Sequence, residues 1–272
     1  MEAKKILFIT QEMIPYVAES VASKAGRDLP QSIQDSGFEI RTFMPRWGNI
    51  NERRNQLHEV IRLSGMNIII DETDHPLIIK VASIQAARMQ VYFIDNDDFF
   101  HKRLMMCDDK GVEYSDNFER AVFYARGVLE TVKKLGWCPD VVHCQGWMSA
   151  IAPIYIKTVY NDEPAFANCK VVFSAFEDVP VLRPDSRFAE ALAFKGAHVG
   201  LLDSKNVNLQ APDALAQMAL AFSDGYIQGG AGIRSELMDF AKSIGLPVLE
   251  YPGSEKMADV YGDFYKTVFS AK

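Results

Sequence analysis

The sequence predicts an α/β protein with a Rossmann-like, mostly parallel sheet, helices on both faces and a β-hairpin-rich insertion. Short apolar runs alternate with segments of helical periodicity, which is the pattern of parallel sheets covered by helices. The run 140–144 is apolar, ends in polar residues and precedes Gly146, as expected of a buried strand followed by a turn. Four β-rich runs also follow one another between residues 57 and 94.

The first part of the chain contains two strands separated by helical sequence. Residues 5–10 form a compact apolar run, which predicts the opening strand. Residues 17–35 have the apolar spacing of a helix or of two helices, with Pro30 marking a break or kink. Gly37 ends this segment, and residues 38–44 predict the second strand.

A β-rich stretch follows and predicts the insertion or extension of the sheet. Its runs carry β-forming residues and are separated by turn signals, which favours antiparallel hairpins. The predicted strands are 57–63, 66–70, 77–84 and 89–94.

The second half returns to alternating helices and strands. Residues 117–135 predict a long helix, with Ser115 or Asp116 as its N-cap and Gly136 as its end. The predicted helices after it are 147–160, 186–194, 209–222, 233–244 and 257–269. The predicted strands are 140–144, 170–175, 226–228 and 247–251.

Size and composition limit the domain organisation and the function class. The 272 residues, 48% of them hydrophobic, allow one large domain or two small ones, and we expect one domain over residues 1–272. A net charge of −7 without a Lys/Arg-rich block argues against nucleic acid as a partner. No run is apolar over the length of a membrane span, and the start lacks a signal-peptide pattern. Four widely spaced cysteines predict free thiols, no metal site and a cytoplasmic protein.

The candidate site lies where the predicted central strand ends. In open α/β sheets ligands bind outside the carboxyl ends of the strands. His143, Gln145 and Trp147 fall at that position. For His143 a hydrogen-bonded structural role and a ligand contact both stay open, and Trp147 is either a packing residue or an aromatic face for a sugar ring. The glycine-rich run 229–232 lacks the GxGxxG spacing and predicts a tight turn.

Several stretches, taken in order, resemble bacterial glycogen and starch synthases. KILFITQEMIPY at 5–16 and LPQSIQDSGFEIRTFMPRWG at 29–48 are similar to the opening segments of that family. VYFIDNDDFF at 91–100, YSDNFERAVFYARGVLE at 114–130 and GWCPDVVHCQGWMSAIAPIYIKT at 136–158 are similar to later segments, as is VVFSA at 171–175. The resemblance is strongest over residues 4–178. It implies the N-terminal, acceptor-side half of a GT-B glycosyltransferase, an enzyme that moves glucose from ADP-glucose to an α-1,4-glucan.

The chain departs from this family at three site loops. Where the family carries KTGGL, residues 18–22 read AESVA, so a cation is replaced by an anion and Val21 stands in a glycine's place. The family's HCHDW reads HCQGW at 143–147, and Gln145 cannot hold or shuttle a proton as histidine does. The family's TIHN reads SAFE at 174–177. No counterpart of the family's C-terminal, nucleotide-sugar-binding domain is evident in the sequence.

These observations support three hypotheses about function. The preferred one is a catalytically impaired relative in α-glucan metabolism that binds an α-glucan, a maltooligosaccharide or a partner enzyme. The second is an active glucosyltransferase that uses ADP-glucose with a donor domain from another chain. The third is a non-enzymatic interaction or regulatory protein, and association with itself or with a glycosyltransferase chain is compatible with each.

The resemblance assigns no catalytic residue, cofactor or metal to this chain. It does imply a set of substrate-binding candidates in the loops that follow the strands. The set is Glu12, Tyr16, His143, Gln145, Trp147 and Glu177.

Overall fold

A mixed, mostly parallel sheet forms the centre of the protein. The computed structural model describes residues 4–253 and 257–270. The predicted domain ends at residues 1 and 272 lie outside these ranges. The strands of the described part are β1 (Lys5–Thr10), β2 (Glu39–Pro45), β3 (His58–Glu59), β4 (Met66–Ile70), β5 (Thr73–Ile84), β6 (Met89–Asp95), β7 (Val141–Gln145), β8 (Lys170–Ala175), β9 (Gly225–Gln228) and β10 (Val248–Leu249).

The strand order is β10-β9-β8-β7-β1-β2-β6-β5-β3, with β4 paired to β5. All neighbours from β10 to β6 run parallel, whereas β5 pairs antiparallel with β3, β4 and β6. The predicted hairpin-rich segment therefore extends the parallel sheet at one edge. This confirms the predicted fold class.

Helices cover both faces of the sheet, as predicted. They are α1 (Val21–Asp35), α2 (Asn117–Lys134), α3 (Ala152–Thr158), α4 (Ser186–Leu192), α5 (Gly200–Asp203), α6 (Ala214–Ala221), α7 (Ser235–Ser243) and α8 (Met257–Ser270). Because side chains alternate along a strand, each strand contributes to two cores. Ile6, Phe8 and Val141 pack with α1 and α8, and Leu7, Ile9 and Val142 belong to the larger core that includes α2 and α3.

The predicted break at Pro30 is absent, and the predicted N-cap Asp116 has the expected position without the expected cap hydrogen bond. Pro30 does not break α1, which is one helix from Val21 to Asp35. The buried face formed by Ala25, Leu29 and Ile33 outweighs the hydrogen bond that proline removes. The carboxylate of Asp116 makes no cap hydrogen bond at the start of α2 and instead accepts from Arg103 Nη1 at 2.8 Å.

Other elements are shorter than the sequence predicts. Only two residues of the predicted strand 57–63 pair with β5. The predicted helix 147–160 is divided into a 3₁₀ turn at Trp147–Ser149 and α3, with Pro153 in the first turn of α3. A proline is suited to that position because its missing N–H has no partner there. The predicted helix 209–222 is also shorter in the structure. It begins at Ala214, because Pro212 disfavours helical backbone in the residue before it.

Candidate functional site

The carboxyl ends of β1 and β7 define a crevice at the switch point of the sheet. From β1 the chain first adds β2 on one side, and β7 later joins β1 on the other side. Such a point leaves room between the loops that diverge from two adjacent strands, and ligands of α/β proteins bind there. Gln11 and Glu12 follow β1, Gly146 follows β7, and Phe176 and Glu177 follow β8.

Within the crevice, the residues at the ends of β1 and β7 contact one another directly. The backbone N–H of Gln11 donates to the carbonyl of Gln145 at 3.2 Å. Gly146 has φ +83°, and a Cβ at this position would lie 2.1 Å from Gln11 Oε1. Only glycine therefore fits both the backbone conformation and the space beside Gln11. The side chain of Gln11 therefore occupies the space that the Cβ of an aspartate at position 146 would need, where the HCHDW motif carries that residue.

The N-terminus of α1 faces this crevice and is capped internally. Ser20 Oγ accepts from the Ser23 N–H at 2.9 Å, and Ser23 Oγ accepts from the Ser20 N–H at 2.8 Å. Ser20 Oγ also donates to Glu12 Oε2 at 3.0 Å. A carboxylate therefore lies at the positive end of the helix, where a phosphate would otherwise bind.

Glu12 is buried, with 5% of its surface exposed. Gln11 Nε2 donates to its Oε1 at 3.0 Å. Burial raises the pKa of Glu12, and the nearby Asp178 raises it further, whereas the hydrogen bonds from Gln11 and Ser20 oppose this shift. Lys24, in the first turn of α1, pairs with Glu19 at 2.5 Å.

His143 is enclosed within the sheet. It is fully buried, and its two ring nitrogens lie 2.8 Å from the hydroxyl of Tyr265 and 2.6 Å from that of Ser174. Burial lowers the pKa of His143 to about 3, so the ring is neutral at physiological pH. Of the two interpretations that the sequence left open, this geometry favours the hydrogen-bonded structural role.

Gln145 differs from His143 because its amide has no hydrogen bond. It is 1% exposed, and neither its Nε2 nor its Oε1 has a partner within the described residues. Gln11 Oε1 is also unpaired there. Buried amides without partners are costly and often mark a bound water or a ligand contact. Gln11 and Gln145 thus carry unused hydrogen-bonding capacity at this edge of the sheet.

Tyr16, by contrast, packs into the core. It is buried and meets Phe93 edge to face, with ring centroids 4.9 Å apart. Burial raises the pKa of Tyr16 to about 12. Its side chain contributes to packing beneath the loop that follows β1, away from the cavity described next.

Trp147 and Glu177 lie together on a cavity of about 150 Å³. Trp147 is 2% exposed, and its indole N–H has no hydrogen-bond partner in the described part of the chain. Glu177 is exposed and accepts from the Gly232 N–H at 2.7 Å, which fixes the glycine-rich run 229–232 as a turn. The walls come from the loop 178–184, from the start of α6 and from the residues before α7.

Sequence reasoning missed Asp213, which also lines this cavity. Asp213 precedes α6 as its N-cap but makes no cap hydrogen bond. Its Oδ1 accepts from Gln217 Nε2 at 2.9 Å, and its buried Oδ2 has no partner among the described residues. A signal for this role is the pair Asp213 and Gln217, polar residues four positions apart at the start of an otherwise apolar helix.

Together, the doubly covered parallel sheet, the switch-point crevice and the adjoining cavity define an α/β protein of the class that binds ligands at the carboxyl edge of its sheet. Residues 5–224 match the starch synthase catalytic domain family. The chain therefore belongs to that family.

Curated relatives share sequence with only part of the chain. The glycogen synthase of Chlorobium luteolum is 35% identical over 171 residues, which cover 62% of this chain and 35% of that protein. The glycogen synthase of Pelodictyon phaeoclathratiforme is 36% identical with the same coverage. The matched segment thus spans about a third of the length of these relatives.

A solved structure supports the fold over a longer range. The catalytic domain of starch synthase IV from Arabidopsis thaliana, bound to ADP and acarbose, has a TM-score of 0.70 and 17% sequence identity. The similarity covers 92% of this chain and 51% of that one. Within the described ranges, no helix has the length and apolar character needed to cross a membrane.

Proposed function

We propose that this protein acts in α-glucan metabolism by binding an α-glucan or maltooligosaccharide, and that it does not itself transfer glucose. The observation that carries the proposal is the internal cap of α1. Ser20 and Ser23 satisfy each other's backbone N–H groups, and the carboxylate of Glu12 is hydrogen-bonded to this cap.

A nucleotide-sugar donor brings a diphosphate, and the local charges oppose it. An anion at a helix N-terminus is stabilised by unused N–H groups and by the helix dipole. Here Glu12 already supplies a negative charge, and Asp178 and Glu177 lie on the adjoining pocket or close to it. Val21, half exposed at the first position of α1, places an apolar side chain beside the cap.

At the carboxyl end of β7, neither His143 nor Gln145 is suited to proton transfer. His143 is neutral, fully buried and hydrogen-bonded on both ring nitrogens. Gln145 can accept or donate a hydrogen bond to a hydroxyl but does not titrate. Gln145 thus retains the capacity to bind a polar ligand, and neither it nor His143 is available as a general acid or base.

The glucan part of the proposal rests on family membership and on the cavity beside Trp147. Sugar sites combine an aromatic or apolar wall with a few hydrogen-bonding groups. That cavity offers Phe118, Trp147 and Phe176 as aromatic lining residues and Asp213 as a carboxylate.

Two alternatives make different predictions. An active glucosyltransferase that borrows a donor domain from another chain must place a diphosphate next to Glu12, which the charge at α1 disfavours. An interaction protein has support in the exposed side chains of Val181 and Leu182, which are 76% and 43% accessible.

Binding measurements on the purified chain test the proposal. We expect the protein to co-sediment with glycogen, and we expect calorimetric titration with ADP-glucose and with ADP to show no binding at millimolar concentration. Binding of ADP-glucose at micromolar concentration would contradict the absence of a donor site. Failure to bind both glycogen and maltooligosaccharides would contradict the glucan-binding function.

A further inference from the structure

We infer that residues 178–184 form a lid over the cavity beside Trp147, and that the carboxylate of Glu113 is the latch that holds this lid closed. The inference goes beyond the proposed function, because it concerns access to the cavity and holds for any ligand that enters it. It also assigns a role to Glu113, which lies in the segment between β6 and α2.

The lid lies between two points at which the chain is anchored. Before it, Glu177 Oε1 accepts from the Gly232 N–H at 2.7 Å. After it, Asp185 Oδ1 accepts from the Phe188 N–H at 3.2 Å and caps α4. Movement is therefore confined to the residues between these two points.

Between the anchors, the backbone of the lid is held by side chains alone. In the described part of the chain, no backbone–backbone hydrogen bond joins residues 178–184 to another segment. The N–H groups of Val181 and Leu182 instead donate to Glu113 Oε2, at 3.0 and 3.2 Å. The guanidinium of Arg183 donates to the carbonyls of these same two residues, so it adds no link to the rest of the chain. Among the described residues, Glu113 therefore supplies the hydrogen bonds that keep the lid in place.

Apolar contact holds the lid less firmly than it holds the core. Val179, Val181 and Leu182 are still 37%, 76% and 43% exposed with the lid closed. On its inner side, the lid borders the cavity of about 150 Å³ through Val179, Pro180 and Leu182. A side chain that borders an unfilled space lacks the dispersion contacts that atoms in that space would make. Opening the lid therefore breaks few packing contacts.

Glu113 has the properties of a fixed latch. It lies in a turn that is closed by the Tyr114 N–H, which donates to the Met106 carbonyl at 3.0 Å. Its Oε1 lies 3.5 Å from Asn117 Nδ2, at the start of α2. Within the ranges that the structure describes, Glu113 has no ion pair. Its charge therefore acts on the N–H groups of the lid, and hydrogen bonds to an ionised acceptor are stronger than neutral ones.

These contacts give the lid a closed state and an open state. In the closed state the two N–H groups bond to Glu113, and in the open state both partners bond to water, so the net difference in free energy is modest. Pro180 and Pro184 restrict the backbone, so the lid moves as a unit. The open state uncovers the aromatic floor of the cavity, which includes Phe118 and Trp147.

Hydrogen–deuterium exchange of the full chain, measured by mass spectrometry on peptides that span residues 176–185, tests the latch. Glu113→Ala removes the acceptor, and we expect the amides of Val181 and Leu182 to exchange about tenfold faster. Glu113→Gln keeps one acceptor oxygen and should retain part of the protection. The matched control Asp109→Ala removes an exposed carboxylate that has no hydrogen bond to the lid, and should exchange as the unmodified chain does.

Acrylamide quenching of Trp147 tests whether the lid opens onto the cavity. Trp147 is 2% exposed with the lid closed. Its fluorescence is isolated by comparing each variant with the same variant that also carries Trp147→Phe. The quenching constant should rise in Glu113→Ala and stay unchanged in Asp109→Ala.

Each outcome supports or overturns the inference. Unchanged exchange at Val181 and Leu182 in Glu113→Ala would overturn the latch. Faster exchange there without stronger quenching of Trp147 would show that the loop moves without uncovering the cavity, and would overturn the lid. Equally accelerated exchange in α2, or a variant that does not fold, would show that Glu113 supports the whole chain, and would also overturn the inference. Neither assay contains a ligand, so a failure of glucan binding leaves this result unaffected.

Discussion

Acidification should destabilise the protein through His143, and the structure sets the size of the effect. Burial lowers the pKa of His143 to about 3 in the folded state, against about 6.5 for an unperturbed histidine. Between these two pH values, His143 therefore binds a proton in the unfolded chain but not in the folded chain. Stability falls as the pH drops below about 6.5, and linkage gives a loss of about 2 kcal/mol between pH 7 and pH 5.

Urea denaturation at pH 7, 6 and 5 measures this loss, and His143→Gln isolates the part that His143 contributes. At pH 7 the variant should be about 1–3 kcal/mol less stable, because hydrogen bonds to Ser174 and Tyr265 are lost. Its stability should not show the histidine-linked loss, so the gap to the unmodified chain should narrow by about 2 kcal/mol at pH 5.

The comparison with the variant is necessary because the titration of other groups changes the stability in the opposite direction as the pH falls. Burial raises the pKa of Glu12, so its contribution favours the folded state as the pH falls. This contribution is present in both proteins and cancels in the difference. His58→Gln, which changes an exposed histidine on β3, controls for the loss of a histidine side chain. A parallel pH dependence for His143→Gln and the unmodified chain would refute the assignment of His143 as a neutral structural residue.

Chemical denaturation tests two further consequences of the packing. Gly26→Ala should cost about 1–3 kcal/mol, since its Cβ would lie 2.3 Å from the carbonyl oxygen of Glu12, whereas Gly262→Ala on α8 meets open space and should stabilise by about 0.5–1 kcal/mol. Equal effects of the two substitutions would contradict the close contact of α1 with the loop after β1. Arg120→Met should destabilise by about 3 kcal/mol or more, because the buried guanidinium donates to the carbonyls of Phe99, Leu104 and Met105. Limited proteolysis should then cut near Leu104 first, and an uncleaved loop would contradict this role of Arg120.

The fold was predictable because its main elements follow local patterns. The buried strands β1, β7 and β8 appear in the sequence as short apolar runs with defined ends, and they form the centre of the sheet. Pro30 shows the limit of this approach. Its intrinsic effect is to break a helix, but the long-range packing of Leu29 and Ile33 keeps α1 intact.

The site was predictable only where resemblance to the synthases applied. The replacements at 18–22, 143–147 and 174–177 can be read from the sequence, and they coincide with the crevice at the carboxyl edge. The role of His143 could not be derived, because its partner Tyr265 lies 122 residues away. The cavity was missed for the same reason, since Trp147 and Asp213 are brought together only by the packing of α6 against the sheet.

Transfer of labelled glucose from ADP-glucose to glycogen tests the central claim most directly. The purified chain and its Gln145→His variant should both leave the glycogen unlabelled, because restoring one histidine changes neither the cap of α1 nor the charge of Glu12. Label in the glycogen incubated with the unmodified chain would contradict the account, since it would show that these loops support glucosyl transfer.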